Sequence, residues 1–191
     1  HIAVPFSASR EIDLIADEHK LQVTRTKATH QALMNAAFEG NFDFVGGTKG
    51  GFIFPKFLFA SDAMFSVAKI LEMTAKTRLT LSALDQVVPK LHMVKKNLDC
   101  PWSKKGSIMR KLIEVTKSDK REMVDGIKVH YDDGTWVHLL PDKERAVFHI
   151  NAESINKDLA QSIVESFESK IVSWLSDWAG GKKSGPLESE L

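Results

Sequence analysis

Asp43-Phe44-Val45-Gly46-Gly47-Thr48-Lys49-Gly50-Gly51, running on into Phe52-Ile53-Phe54-Pro55, is the stretch on which the fold turns. Asp43 to Val45 reads as a short strand, and it delivers four glycines within six positions. Such a backbone can adopt left-handed conformations and approach a ligand closely. Glycine loops that follow strands often cradle phosphates or sugar hydroxyls with their N–H groups. The spacing is not that of a Walker loop, because no Lys-Ser/Thr pair follows a second glycine, and it is not GxGxxG.

Upstream, Ile2 to Phe6 reads as a strand, and Ser7 or Ser9 can cap the helix after it. Ile12, Ile15, Ala16 and His19 fall at helical spacing there. Leu21 to Thr24 reads as a second strand and Thr29 to Glu39 as a second helix closed by Gly40. Downstream, Phe52, Phe54, Phe57 and Phe59 include two alternating pairs, the pattern of a buried strand. Ser61 or Asp62 caps a long helix carrying Met64, Val67, Ala68, Leu71 and Ala75. A short helix from about Ser82 ends before Pro89. Strands alternating with helices predict an α/β layer with a partly parallel sheet.

The texture changes near residue 95. Lys95-Lys96-Asn97-Leu98-Asp99-Cys100-Pro101 is polar and turn-rich and reads as a linker. Ser103 opens a helix to about Thr116. Strands over Met123–Tyr131 and Trp136–Leu140 flank Asp132-Asp133-Gly134, a hairpin signal. A strand from Ala146 to Ala152 leads to a helix over Asn156–Trp174, whose Trp174, Leu175 and Trp178 read as an apolar cap on the sheet. This second half predicts a small α+β domain with an antiparallel sheet and flanking helices. The tail from Ala179 reads as flexible.

Composition narrows the function classes. Among 191 residues, 26 Lys and Arg nearly cancel 25 Asp and Glu, so no strong field favours nucleic acid or an anionic membrane. The single cysteine, Cys100, excludes an internal disulfide and a cysteine-based zinc site and points to a reduced, cytoplasmic setting. No apolar run reaches the length of a membrane span. The chain opens inside a strand-like segment without Met, as a piece of something longer would.

In this order the segments resemble the C-terminal half of the α-D-phosphohexomutases, the phosphomannomutase/phosphoglucomutase superfamily. The likeness is carried by Val4-Pro5-Phe6-Ser7-Ala8-Ser9, Arg25-Thr26-Lys27-Ala28-Thr29-His30, and the glycine loop with its Phe52–Pro55 tail. Ser61-Asp62-Ala63-Met64, Cys100-Pro101-Trp102 with Lys105-Gly106, Asp125-Gly126, and Asp133-Gly134-Thr135-Trp136 continue it to about residue 175. The Cys-Pro-Trp stretch looks most like the subgroup fused to nucleotidyltransferases of the mannose-1-phosphate guanylyltransferase type. The resemblance implies a mixed-sheet α/β/α third domain over residues 1–95, a fourth domain over 100–178, and a flexible tail over 179–191. It implies interconversion of hexose 1- and 6-phosphates through a phosphoserine and a bisphosphate, with Mg2+ held by ligands outside this chain. The implied partners are a hexose phosphate and the preceding domains of the same protein, with no nucleic acid and no membrane; homo-oligomerisation is left open.

The same resemblance implies the site. Gly47, Thr48, Lys49 and Gly50 would read the sugar. Lys143 and Arg145 would face a phosphate. Lys27 would contact phosphate or move a proton, with His30 beside it. No catalytic phosphoserine and no metal set is expected in these residues, so the isolated chain should not turn over. Three departures stand out. Thr29 replaces a glycine of the family, and Thr48 and Gly50 replace the Glu and Ser of its sugar loop. In the fourth-domain loop, Asp142 and Glu144 oppose the charge of Lys143 and Arg145. A degenerate module that regulates or assembles a fused nucleotidyltransferase is the alternative these changes raise. His130, His138 and His149 lie on neighbouring strands, where structural roles outweigh metal binding.

Overall fold

The computed structural model describes residues 1–180, with side chains through 177; the expected tail beyond 180 and the Trp178 side chain lie outside the described residues. The chain forms two compact units. One comprises residues 1–93 with 123–125, and the other residues 94–122 with the chain from 126 onward.

In the first unit, strands β1 (Ile2–Pro5), β2 (Val23–Thr26) and β3 (Phe44–Val45) form a parallel sheet in the order β2-β1-β3. Helix α1 (Glu11–Glu18) links β1 to β2, and α2 (His30–Glu39) carries the chain from β2 past β1 to β3. An isolated antiparallel bridge from Val45 to Ile53 makes the layer mixed. Ala3, Leu33, Ala37, Val45 and Ile53 form its core. Asp62 caps α3 (Ala63–Thr77), its carboxylate accepting from the Phe65 N–H at 2.6 Å, and α4 (Leu81–Val87) follows.

Two expectations for this unit shift. The second strand begins at Val23 rather than Leu21, because Lys20 and Leu21 are consumed in closing α1. Lys20 is left-handed at φ 54°, its N–H donates to the Asp17 carbonyl, and the Leu21 N–H donates to the Ala16 carbonyl at 2.7 Å. That is a Schellman closure with lysine in glycine's usual place. The Phe52–Phe59 run is not a buried strand. Phe57 and Leu58 N–H groups turn back onto the Phe54 carbonyl, and Phe57 and Phe59 are exposed. The rings pack on one another instead, with Phe44 on Phe52 and Phe54, and Phe57 stacked 4.0 Å from Phe65.

The second unit is a five-stranded sheet in the order β4-β8-β7-β6-β5, from β4 (His92–Asp99), β5 (Arg121–Glu122), β6 (Ile127–His130), β7 (Trp136–Pro141) and β8 (Val147–Ser154). β5 to β8 run antiparallel. Period-two alternation aims Ile127, Val129, Val137, Leu139, Phe148, Ile150 and Ala152 at one face. There they meet Ile108 and Leu112 of α5 (Trp102–Val115) and the stripe Ala160, Val164, Phe167, Ile171 of α6 (Lys157–Gly180). Trp174 and Leu175 pack on this core.

Three expectations shift here too. The supposed linker at 95–101 is mostly strand β4 at the sheet edge. Its exposed lysines, the usual means of blunting an edge strand, read as loop, yet Leu98 and Cys100 alternate inward and are buried. The strand expected over Met123–Tyr131 is confined to β6, Ile127–His130; residues 123–126 turn between it and β5, ending at Gly126, which is left-handed at φ 80°. The last helix continues past Trp174 to Gly180, so residues 179 and 180 are helical. Among the described residues no helix is long and apolar enough to cross a membrane.

One surface cluster sets a pH-dependent expectation. On α3, Glu72 accepts from Lys69 at 2.8 Å and from Lys76 at 2.5 Å. Those bonds, Lys69 first, lower its carboxyl from the ordinary 4.5 to about 2. A depressed pKa stabilises the fold above the unfolded value and loses that contribution as pH falls through the folded one. Carbon-detected NMR titration of the Glu72 carboxyl should give a midpoint near 2, rising with added salt as screening weakens the pairs.

Candidate functional site

All three strands of the first sheet are parallel, so their carboxyl ends open on one edge. The loops leaving that edge are Phe6–Arg10 after β1, Lys27–Thr29 after β2, and Gly46–Gly51 after β3. With β1 central, the chain leaves it toward β2 on one side and reaches β3 on the other. Such a switch in direction is where open α/β sheets bind ligands. Register ties the loops together: the Phe6 N–H donates to the Thr26 carbonyl at 2.7 Å, and the Gly46 N–H to the Ala3 carbonyl at 2.9 Å.

The glycine loop is shaped by close backbone approach. A Cβ on Gly47 would sit 2.3 Å from the Gly50 carbonyl oxygen, so position 47 demands glycine. Gly50 and Gly51 are left-handed, at φ 88° and 76°. A Cβ on Gly51 would lie 3.3 Å from Ser61 Oγ and 3.6 Å from His30 Cε1, so α2's first residue and the residue before α3's cap both close on this loop. Thr48, Lys49 and Gly50 remain exposed. The structure therefore brings Gly47, Thr48, Lys49, Gly50 and His30 together and sets exposed Lys27 on the same sheet edge. Thr29, the departure from glycine, caps α2 by accepting from the Ala32 N–H at 3.2 Å.

Two features of this site escaped the sequence reading. Arg25 donates to the Ala8 carbonyl at 2.7 Å and to the Ser9 carbonyl at 3.3 Å and pairs with Asp13, so one guanidinium braces the β1 loop. The signal was a long cation in a strand opposite a helix bearing an acid. A cavity of about 310 Å³ lies beside the loop, lined by Gly50, Gly51, Phe52, Ser61, Asp62 and Ser66. In sequence, Ser61 and Asp62 read as a helix cap and as part of the family resemblance, not as the lining of a cavity.

Lys143 and Arg145 belong to the second unit, in the β7–β8 turn. Asp142 dominates that turn. Its Oδ1 accepts from the Glu144 N–H at 2.8 Å and the Arg145 N–H at 2.9 Å. Its Oδ2 accepts from Arg145 Nε at 3.0 Å and Nη2 at 2.8 Å and lies 2.9 Å from His149 Nε2. Buried Lys105 donates from beneath to the Asp142 and Arg145 carbonyls. The Glu144 N–H above all, with His149 and Arg145 adding, holds the Asp142 carboxyl far below the usual carboxylate range against the opposing effect of burial.

The three strand histidines go separate ways: His130 faces Glu122 at 2.7 Å, His149 bridges Asn97 and Asp142, and His138 is buried. Among the described residues no group of three or more His, Cys, Asp or Glu could hold a metal ion. The resemblance expects the Mg2+ ligands outside this chain.

A parallel α/β layer whose connecting loops share one edge is followed by a helix-backed antiparallel sheet. Residues 1–91 match the family described as "Phosphoglucomutase/phosphomannomutase, alpha/beta/alpha domain III". A protein named "Phosphoglucomutase/phosphomannomutase" from Thermococcus kodakarensis is 29% identical over 166 residues, covering 86% of this chain and 36% of that one. A solved phosphoglucomutase/phosphomannomutase family protein from Burkholderia thailandensis superposes with a TM-score of 0.72 at 17% identity, over 88% of this chain and 36% of that one. An N-acetylphosphoglucosamine mutase of Aspergillus fumigatus, solved with GlcNAc-6P and magnesium, gives 0.64 at 10% identity, over 89% and 41%; at these identities both share the fold. This chain is similar to α-D-phosphohexomutases, with the family match over residues 1–91. It spans about a third of the length of the curated relatives it matches.

Proposed function

We propose that this chain is the substrate-reading C-terminal part of a phosphohexomutase that interconverts hexose 1- and 6-phosphates through a phosphoserine and a bisphosphate. The observation that carries the reading is the crowded glycine loop, where position 47 has no room for a Cβ and His30 and Ser61 close on Gly51. Loops so tightly specified at the carboxyl edge of a parallel sheet suit backbone recognition of a polar ligand. In this reading residues 1–95 are the third domain and 100–178 the fourth. The loop N–H groups and the Thr48 hydroxyl meet sugar hydroxyls. Lys49 and Lys27 meet phosphate charge as point cations. The phosphoserine and the Mg2+ come from other parts of the protein, and this chain binds and orients.

In the full-length protein, Thr48→Ala should raise KM for a hexose 1-phosphate about three- to tenfold with kcat little changed, the cost of one neutral hydrogen bond. Steady-state mutase assays check it, and an unchanged KM would show that the loop reads no sugar.

A second reading has its own support in Thr48 and Gly50, which stand where the family resemblance expects Glu and Ser, and in an Arg145 already engaged by Asp142. In it the chain is a non-catalytic mutase-like module that regulates or assembles a fused sugar-1-phosphate nucleotidyltransferase. Absence of mutase turnover in the full-length protein, together with nucleotidyltransferase activity that falls when this chain is removed, would select that reading.

A further inference from the structure

We propose that Asp142 is an internal competitor for the anion position of the β7–β8 turn, so that the turn grips a phosphate monoester only when this carboxylate is displaced. The proposal rests on the reading of residues 100–178 as the fourth domain, in which Lys143 and Arg145 would face a phosphate. Two backbone N–H groups, both donors on one edge of the Arg145 guanidinium and the His149 ring converge on a single carboxylate. That is the donor set a phosphate would call on: charged, forked and supported by main-chain N–H. The occupant differs only in being tethered.

Tethering decides the competition. A carboxylate three residues from its guanidinium acts at high effective concentration, so free phosphate in solution competes poorly. Exposure shows how exchange would run. The Asp142 side chain is 12% exposed and that of Arg145 59%, so the guanidinium faces solvent while its partner is tucked inward. Beneath them Lys105 donates to the carbonyls of residues 142 and 145, and its ammonium sits 3.4 Å from the centre of the Trp102 ring. The turn is thus held from below by bonds that do not involve the Asp142 carboxylate, and it should survive loss of that charge.

The test is titration of the chain with inorganic phosphate, followed by amide and Arg145 Nε shifts in 1H–15N spectra. Wild type should show no saturable change at residues 142–149 in millimolar phosphate. Asp142→Asn keeps a side-chain oxygen for the Glu144 and Arg145 N–H groups but places an amide donor against the guanidinium. It should bind phosphate at least about tenfold more tightly than wild type, as expected for freeing a charged, bidentate donor. Adding Arg145→Gln to that variant should abolish the binding. Asp142→Ser, which retains a short turn-forming acceptor, repeats the test should the Asn variant perturb the fold. Equal phosphate binding by wild type and both position-142 variants overturns the proposal, as does binding that survives loss of Arg145. Failure here with hexose-phosphate shifts intact at Gly46–Gly51 would sink the competitor alone and leave the proposed function standing.

Discussion

Gly126→Ala is expected to destabilise the second unit by about 3 kcal/mol or more, a large share of the ~5–15 kcal/mol that holds a typical domain together. Gly126 enters β6 at φ 80°, a conformation that costs an L-residue roughly 1–2 kcal/mol. The larger cost is contact. The new Cβ would lie 2.4 Å from the Leu139 carbonyl oxygen and 3.2 Å from the Leu140 Cα, both backbone atoms of β7 that cannot rotate away. Relief requires β6 and β7 to part where Ile127 pairs with Leu139, and both side chains are fully buried in the core. Gly50→Ala is the control, because Gly50 is equally left-handed at φ 88° but has nothing within 4 Å of a new Cβ. It should cost only the conformational part, about 1 kcal/mol. Urea unfolding followed by circular dichroism separates the two, and equal costs would refute backbone crowding at Gly126.

Gly47→Ala is expected to leave stability nearly intact and to remove ligand response. Its Cβ would press on the Gly50 carbonyl oxygen at 2.3 Å, forcing the loop open by about 1 Å to reach ordinary contact. Thr48 and Lys49, which the loop presents, move with it, and a misplacement of that size typically costs on the order of a hundredfold in function. Because residues 48–50 are exposed, little core packing is lost. Hexose-phosphate affinity should therefore fall at least about tenfold while the thermal midpoint shifts by only a few degrees. A drop in stability with affinity preserved would make position 47 a folding requirement only.

Much of this fold is legible in sequence because its local signals agree with its packing. Strand–helix alternation through residue 45, the cap at Asp62, and the Asp-Gly turn at 133–134 each mark a real element. What fails does so for physical reasons. Strand β4 looks like a linker because an edge strand carries its lysines outward. The Phe52–Phe59 run looks like a strand because aromatic alternation does not distinguish a sheet from rings stacked around a turn. The glycine loop declares itself, since only glycine fits where it is crowded. The bracing Arg25, and Asp142 as tethered counter-ion to Arg145, are partnerships across turns and helices that spacing alone does not encode.

The central claim of the proposed function is that the Gly46–Gly51 loop reads a sugar phosphate although the family resemblance expects Glu and Ser where Thr48 and Gly50 stand. Its most direct test is a 1H–15N NMR titration of this chain, wild type beside Gly47→Ala, with glucose 1-phosphate, mannose 1-phosphate and glucosamine 6-phosphate. Saturable shifts confined to Gly46–Gly51, Lys27 and His30, present in wild type and absent from Gly47→Ala, are the predicted result. No shift in those residues with any of the three sugars would contradict it.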